Sequence, residues 1–219
     1  MGSAAHQGRA AVTCAYAPRM RSSRKASSAI RRPPRSETFR SRDLVNALRV
    51  PLEPWLATQD FRRVGYRGWS RPHPDGHLVI AVQASQSGWD ARSGNRFVVE
   101  FEVSATAALS SSFHRTRIWR LLEAERRAEA VEIVKRVGST LPPPDRAFVS
   151  ELPRDLQAAY LRQWDPDLTV DSSDVWFNYY DESDARTWGE FLSHSMGPAL
   201  ERFLTEPPSF FGFRPSESS

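Results

Sequence analysis

The stretch from Phe61 to Val103 constrains this chain most. Within it, Leu78, Ile80, Val82 and Ala84 alternate with Val79, Ala81 and Gln83. Further on, Phe97, Val99, Phe101 and Val103 alternate with Val98, Glu100 and Glu102. A period of two built from β-branched and aromatic residues predicts strands. Ahead of them, Pro72-His73-Pro74-Asp75-Gly76 supplies a tight turn. Proline pre-sets φ, aspartate bonds its own backbone, and glycine takes positive φ without a Cβ clash. A further strand over Val64–Arg71 precedes the turn, and Ser85–Asn95 is long for a hairpin connection. Acids confined to one side of the alternation predict an antiparallel sheet with a single buried face.

Helical spacing flanks this centre. From Ser41 or Arg42, Leu44, Leu48, Leu52 and Trp55 recur on one face. Pro51 interrupts the run and predicts two short helices, with Pro51 opening the second. A helix over Thr116–Val137 follows, with Glu123–Arg127 and Glu132–Arg136 as i,i+4 pairs and Gly138 as its stop. Leu141–Asp145 is a stiff proline-rich loop, Arg154–Gln163 a helix, and Asp165–Asp174 an acidic loop. Val175–Tyr180 is a fourth strand. Asp181 or Ser183 caps a last helix with Trp188, Phe191, Leu192, Ser195 and Met196 on one side. Gly197-Pro198 is expected to split it.

The fold class is therefore α+β: an antiparallel sheet of about four strands with helices on one face, preceded by a disordered basic tail. Three parts are expected: an Arg/Ser-rich tail over 1–42, one domain over 43–206, and a Pro/Ser-rich tail over 207–219.

Charge divides along the same line. Residues 1–42 carry a net charge of +9, and the rest carries −5. Low hydrophobicity with high charge predicts disorder for the tail. It reads as a solvated leader or a misplaced start. The alternatives are a targeting segment or an arm that neutralises phosphates without reading sequence. The only cysteine is Cys14, which excludes an internal disulfide and a thiol enzyme in the domain and fits a cytoplasmic location. No apolar run is long enough for a membrane helix, so no membrane partner is expected.

Catalytic signatures are missing. Neither a Gly-rich phosphate loop nor a nucleophile elbow occurs. His73, Asp75 and His77 lie on a surface turn without a fourth ligand. The acidic loop lacks the glycine and closing glutamate of a calcium loop. No metal, cofactor or catalytic residue is expected, and the chain leans away from an enzyme. The candidate ligand-binding residues are Trp69, Arg71, Gln83, Glu100, Trp176 and Asn178, on the outward sheet face together with Glu102. Aromatic and hydrogen-bonding residues suit recognition of a protein or a small ligand. Cross-strand Arg–Glu pairing is the structural alternative for that face.

The spacing Phe61-x-x-x-Gly65-x-x-x-Trp69-x-Arg71, then Asp75-Gly76, Val82-Gln83-x-Ser85 and Phe97-x-Val99, resembles the bacterial family called domain of unknown function 4304. Asp174-Val175-Trp176-Phe177 and the helix ending near Gly197-Pro198 are similar to that family's closing segment. The resemblance covers about Leu48–Pro207. It implies an α+β fold and carries no activity across. The leading expectation is a non-enzymatic binding module that uses the outward sheet face. Nucleic-acid binding through the tail alone is the first alternative. An enzyme with a carboxylate-centred pocket is the second, because carboxylate spacing in three dimensions is not written in the sequence.

Overall fold

A computed structural model of the chain describes residues 31–107 and 115–206. The order is α1 (Ser41–Thr58), β1 (Arg62–Val64), β2 (Gly68–His73), β3 (Gly76–Ala84), β4 (Asn95–Ser104), β5 (Arg115–Arg117), α2 (Ile118–Leu121), α3 (Ala124–Thr140), α4 (Arg146–Glu151), α5 (Arg154–Leu161), β6 (Phe177–Tyr179) and α6 (Glu182–Thr205). The fold is α+β, and the antiparallel sheet has six strands rather than four.

Strands β1 to β4 form a meander, each pairing with the next. Gly76 closes the predicted turn with φ 131°, and a Cβ there would lie 2.4 Å from the carbonyl oxygen of Ser104. Only glycine fits. One edge of β4 is taken by β3. Its other edge is shared: β6 pairs with Asn95–Phe97 and β5 with Glu100–Glu102. Both additions are three residues long. Arg62–Val64 and Arg115–Arg117 escaped the sequence reading because three residues are too few to show a period.

The predicted alternation sorts as expected on the core side. Leu78, Ile80, Val82, Phe97, Val99 and Phe101 are all buried in one cluster. Helices α1 and α6 pack against each other over this face. Along α1 the stripe Leu44, Leu48, Leu52 and Leu56 is continuous, so α1 is one helix with Pro51 and Pro54 inside it rather than two. An interior proline costs about 3 kcal/mol. With two interior prolines the cost reaches about 6 kcal/mol, and burying Leu52 and Leu56 on the same stripe contributes roughly 1.5–3 kcal/mol each against it. Gly189 of α6 leaves room for the Pro51 ring: a Cβ there would stand 2.4 Å from Pro51 Cγ. The last helix likewise runs unbroken through Pro198, because Ala199 and Leu200 extend its buried stripe. Its N-cap is Asp181, as predicted, and the cap carboxylate accepts from Asp184 N–H.

The helix expected over 116–137 is interrupted. Residues 115–117 join the sheet, and Leu122 is extended between α2 and α3. Leu122 and Trp119 are both buried, and Trp119 Nε1–H donates to the carbonyl of Ser172. Tertiary burial thus overrides a sequence that suits a continuous helix. Glu123 is left outside α3, so no Glu123–Arg127 ion pair forms among the described residues. Arg127 donates instead to the carbonyl of Arg120. A short helix, α4, was also missed; Asp145 caps it by accepting from Ala147 and Phe148 N–H.

Residues 1–30 of the expected tail lie outside the described residues, as does 207–219. Residues 31–40, also assigned to the tail, are instead fastened to the domain. Arg32 N–H donates to the carbonyl of Thr140 at 2.9 Å. Its guanidinium reaches both oxygens of Asp184 (2.8 and 2.9 Å) and Asp181 (3.0 Å). The Tyr180 hydroxyl accepts from Arg35 N–H and shares its proton between the carbonyls of Pro33 and Ala91. Hydrogen bonding to Asp184 holds the Arg32 pKa above the ordinary arginine range.

Three substitutions test this packing. Arg32→Ala leaves the Asp184 carboxylate, 7% exposed, without its main partner, and is expected to cost about 2–4 kcal/mol. Arg49→Ala removes an i,i+4 pair with Glu53 and should cost under about 0.5 kcal/mol. Equal losses in denaturant melts would refute the fastening. Gly189→Ala should lower stability by about 1–3 kcal/mol, because α1 and α6 must separate to admit the methyl group.

Candidate functional site

The pairing register decides which predicted residues meet. Trp69 lies opposite Ile80, and Arg71 opposite Leu78. Both therefore belong to the core face, which corrects their expected place on the outward one. Trp69 is 3% exposed within the core. Arg71 donates to the carbonyl of Gln59 at 3.1 Å and lies over the Phe61 ring at 5.1 Å. It ties β2 to the end of α1.

Gln83, Glu100, Trp176 and Asn178 do share the opposite face, as the pairs Gln83–Val98, Ala81–Glu100 and Arg96–Asn178 require. At the β5 end this face is closed rather than turned to water. Glu100 is 5% exposed and Glu102 is 0% exposed. Arg115 lies 3.5 Å from Glu100 and 3.2 Å from Glu102, and Arg117 lies 3.7 Å from Glu100. Arg117 also pairs with Asp174, and it lies over the Trp176 ring at 4.8 Å. The Gln83 amide, turned so that its nitrogen faces Glu100, comes within 3.1 and 3.2 Å of the two carboxylate oxygens. That orientation follows from the partners available. Cross-strand ion pairing accounts for this half of the face.

The other half is different. Where β6 pairs with β4, the end of α5 and the loop after it stand over the sheet edge. They enclose a cleft of about 380 Å³ lined by Arg96, Arg162, Gln163, Trp176, Asn178 and Val134, among others. Asn178 is 6% exposed; its Nδ2–H donates to the carbonyl of Val134 at 3.0 Å, and its buried Oδ1 has no partner among the described residues. Arg96 makes no ion pair among the described residues. Burial of its guanidinium, and then the like charge of Arg162, hold its pKa below the ordinary arginine range. Arg162, the C-cap of α5, donates through Nε–H to the carbonyl of Ala158 and to no carboxylate among the described residues. Two cations face one cleft, and among the described residues no carboxylate is bonded to either. Asp174, also on the lining, is engaged by Arg117.

Arg96 obeys the same period of two as Glu100, so its place on this face was readable from the sequence. Arg162 was not: nothing in the spacing of α5 relates it to a strand over 60 residues earlier. No serine, cysteine, histidine or lysine lines this cleft among the described residues. The arrangement can hold an anion and stack a flat group on Trp176. Its carboxylates are Asp167 and Asp174. His73 and Asp75 stay on the β2–β3 turn, where His73 Nδ1 accepts from Asp75 N–H. Among the described residues no helix is long and apolar enough to cross a membrane.

Comparison with protein-family models, with curated proteins and with solved structures found no match for this chain. The likeness to domain of unknown function 4304 rests on the residues quoted for it alone.

Glu100→Gln keeps the side-chain shape and removes the charge shared by Arg115 and Arg117. The expected cost is about 1–3 kcal/mol in urea denaturation. A loss within error of zero would mean that the buried pairs contribute nothing net.

Proposed function

We propose that this protein is a non-enzymatic cytoplasmic binding module whose ligand is a small anion bearing a phosphate or carboxylate group. It occupies the cleft between β4, β6 and the end of α5. One observation carries the reading: Arg96 and Arg162 face a shared cleft, and among the described residues no carboxylate is bonded to either. Bringing two like charges together costs free energy, and a bound anion removes that cost while accepting charge-assisted hydrogen bonds. Arginine suits this task because its planar fork matches phosphate and carboxylate oxygens in pairs. Trp176 offers a ring beside them, and Gln163 a further donor. Of the two carboxylates on the lining Asp174 is held by Arg117, and no serine, cysteine, histidine or lysine accompanies Asp167 among the described residues, which supports binding rather than catalysis.

Titration calorimetry of the full chain with inorganic phosphate, citrate and a nucleoside monophosphate tests this reading and separates phosphate from carboxylate. Arg96→Ala is expected to weaken the bound anion about tenfold or more, with a further loss in Arg96→Ala/Arg162→Ala. Arg186→Ala, which removes an exposed pair with Glu182 on α6, should leave affinity unchanged. Absence of binding by every anion, or equal binding by the double variant, would remove the assignment.

A further inference from the structure

The cleft of Arg96 and Arg162 is not closed at Gln163. It shares Arg96, Ala159 and Gln163 with a larger cleft of about 610 Å³ between the α4–α5 pair and the loop joining β3 to β4. That cleft shares Arg92 and Asp145 with a third, of about 630 Å³, bounded by Arg31, Pro143 and Arg146. The three form one furrow from Arg31 to Trp176.

Its chemistry is uneven in a telling way. Five arginines line it: Arg31, Arg92, Arg96, Arg146 and Arg162. Of its four carboxylates, three are committed to the fold. Asp90 accepts from Arg92 N–H, Ser93 N–H and Ser93 Oγ–H. Asp145 caps α4 and lies 4.0 Å from Arg92, and Asp174 holds Arg117. Only Asp167 makes no such bond among the described residues. Between the arginines the wall is apolar and open. No residue of α5 is buried, Leu156 is 50% exposed, and Phe148 is 47% exposed with its ring set edge-on to Tyr160 at 5.5 Å.

We propose that this furrow binds a single-stranded nucleic acid, with phosphates on the arginines and bases against Phe148 and Trp176. The inference rests on the reading given above, whose cleft forms one end of the furrow. Alternation of cations with accessible rings is what a single strand needs, because its backbone is charged and its bases are unstacked. An acidic peptide would use the charges and leave the rings idle. The other end of the furrow is Arg31, where the chain enters the domain. The 30 residues before it in the sequence contain Arg9, Arg19, Arg21, Arg24 and Lys25 and no acid.

Fluorescence anisotropy of a labelled oligothymidylate of about 15 nucleotides, a length that spans the usual single-strand site, tests the proposal in a potassium chloride series. Arg146→Ala is expected to weaken binding and lower the salt slope by about 0.7, the value for one phosphate contact on a single strand. Phe148→Ala should weaken binding about tenfold with the slope unchanged. Both should bind inorganic phosphate in the Arg96 cleft as the parent does, whereas Arg96→Ala/Arg162→Ala should lose on both counts. Phosphate binding without oligonucleotide binding would overturn the furrow and leave the small-anion reading standing. Oligonucleotide binding that neither Arg146→Ala nor Phe148→Ala alters would also overturn it, as would displacement by polyglutamate at equal charge. Loss of both ligands in the parent protein would sink both readings.

Discussion

Trp188 holds the short strand β6 in place. Its ring stacks on Phe177 at 4.4 Å with the planes 16° apart, and its Nε1–H donates to the carbonyl of Asn178 at 2.7 Å. Strand β6 is three residues long and pairs only with β4. Backbone pairing of that length is marginal without side-chain support. Phe177 also meets Phe97 and Phe191 edge-on, so α6, β6 and β4 are joined through one aromatic cluster. Each such contact contributes about 0.5–1.5 kcal/mol beyond area burial. The clamp acts on the core side, yet it sets the outer side too. With Phe177 fixed inward, Trp176 and Asn178 must face the cleft.

Strand β4 then presents opposite electrostatics at its two ends. Glu100 and Glu102 sit under Arg115 and Arg117, and their charges are matched on the spot. Four residues earlier on the same face, Arg96 meets Arg162 rather than an acid. A buried ion pair offsets its desolvation only when geometry is good and remaining polar atoms are bonded, as they are for Glu100 once Gln83 donates to it. The Arg96 end has no such compensation within the described fold. That contrast directs the functional reading to one half of the face.

The two halves were unequally legible. The period of two from Leu78 to Val82 and from Phe97 to Val103 located β3 and β4, since a residue that alternates beside a buried neighbour has no other stable place. The stripe of Trp188, Phe191, Leu192, Ser195 and Met196 located α6 for the same reason at helical spacing. Prolines misled. Pro51 and Pro198 each suggest a helix end, but the apolar stripe continues past both, and burial outweighs the lost hydrogen bond. Leu122 misled in reverse: no breaker marks it, and the burial of Leu122 and Trp119 sets the break between α2 and α3. The site residues divide along the same line. Gln83, Glu100, Trp176 and Asn178 were brought to one face by alternation, whereas Trp69 and Arg71 fell on the other, because the pairing of β2 with β3 sets which residue of β2 stands opposite Ile80.

What the chain determined by itself is the local periodicity: where the long strands β3 and β4 and the long helices lie, and which side of each is apolar. These follow from side-chain alternation and from the backbone limits of glycine and proline, which act over a few residues. What only the tertiary structure decided is the partnership between distant segments. Pairing register sent Trp69 inward, β4's free edge accepted β5 and β6 together, and Arg32 reached Asp184 across the whole domain. The meeting of Arg96 with Arg162 belongs to that second class. Its cause is long-range packing, in which the free energy depends on the geometry of neighbours rather than on the residues between them.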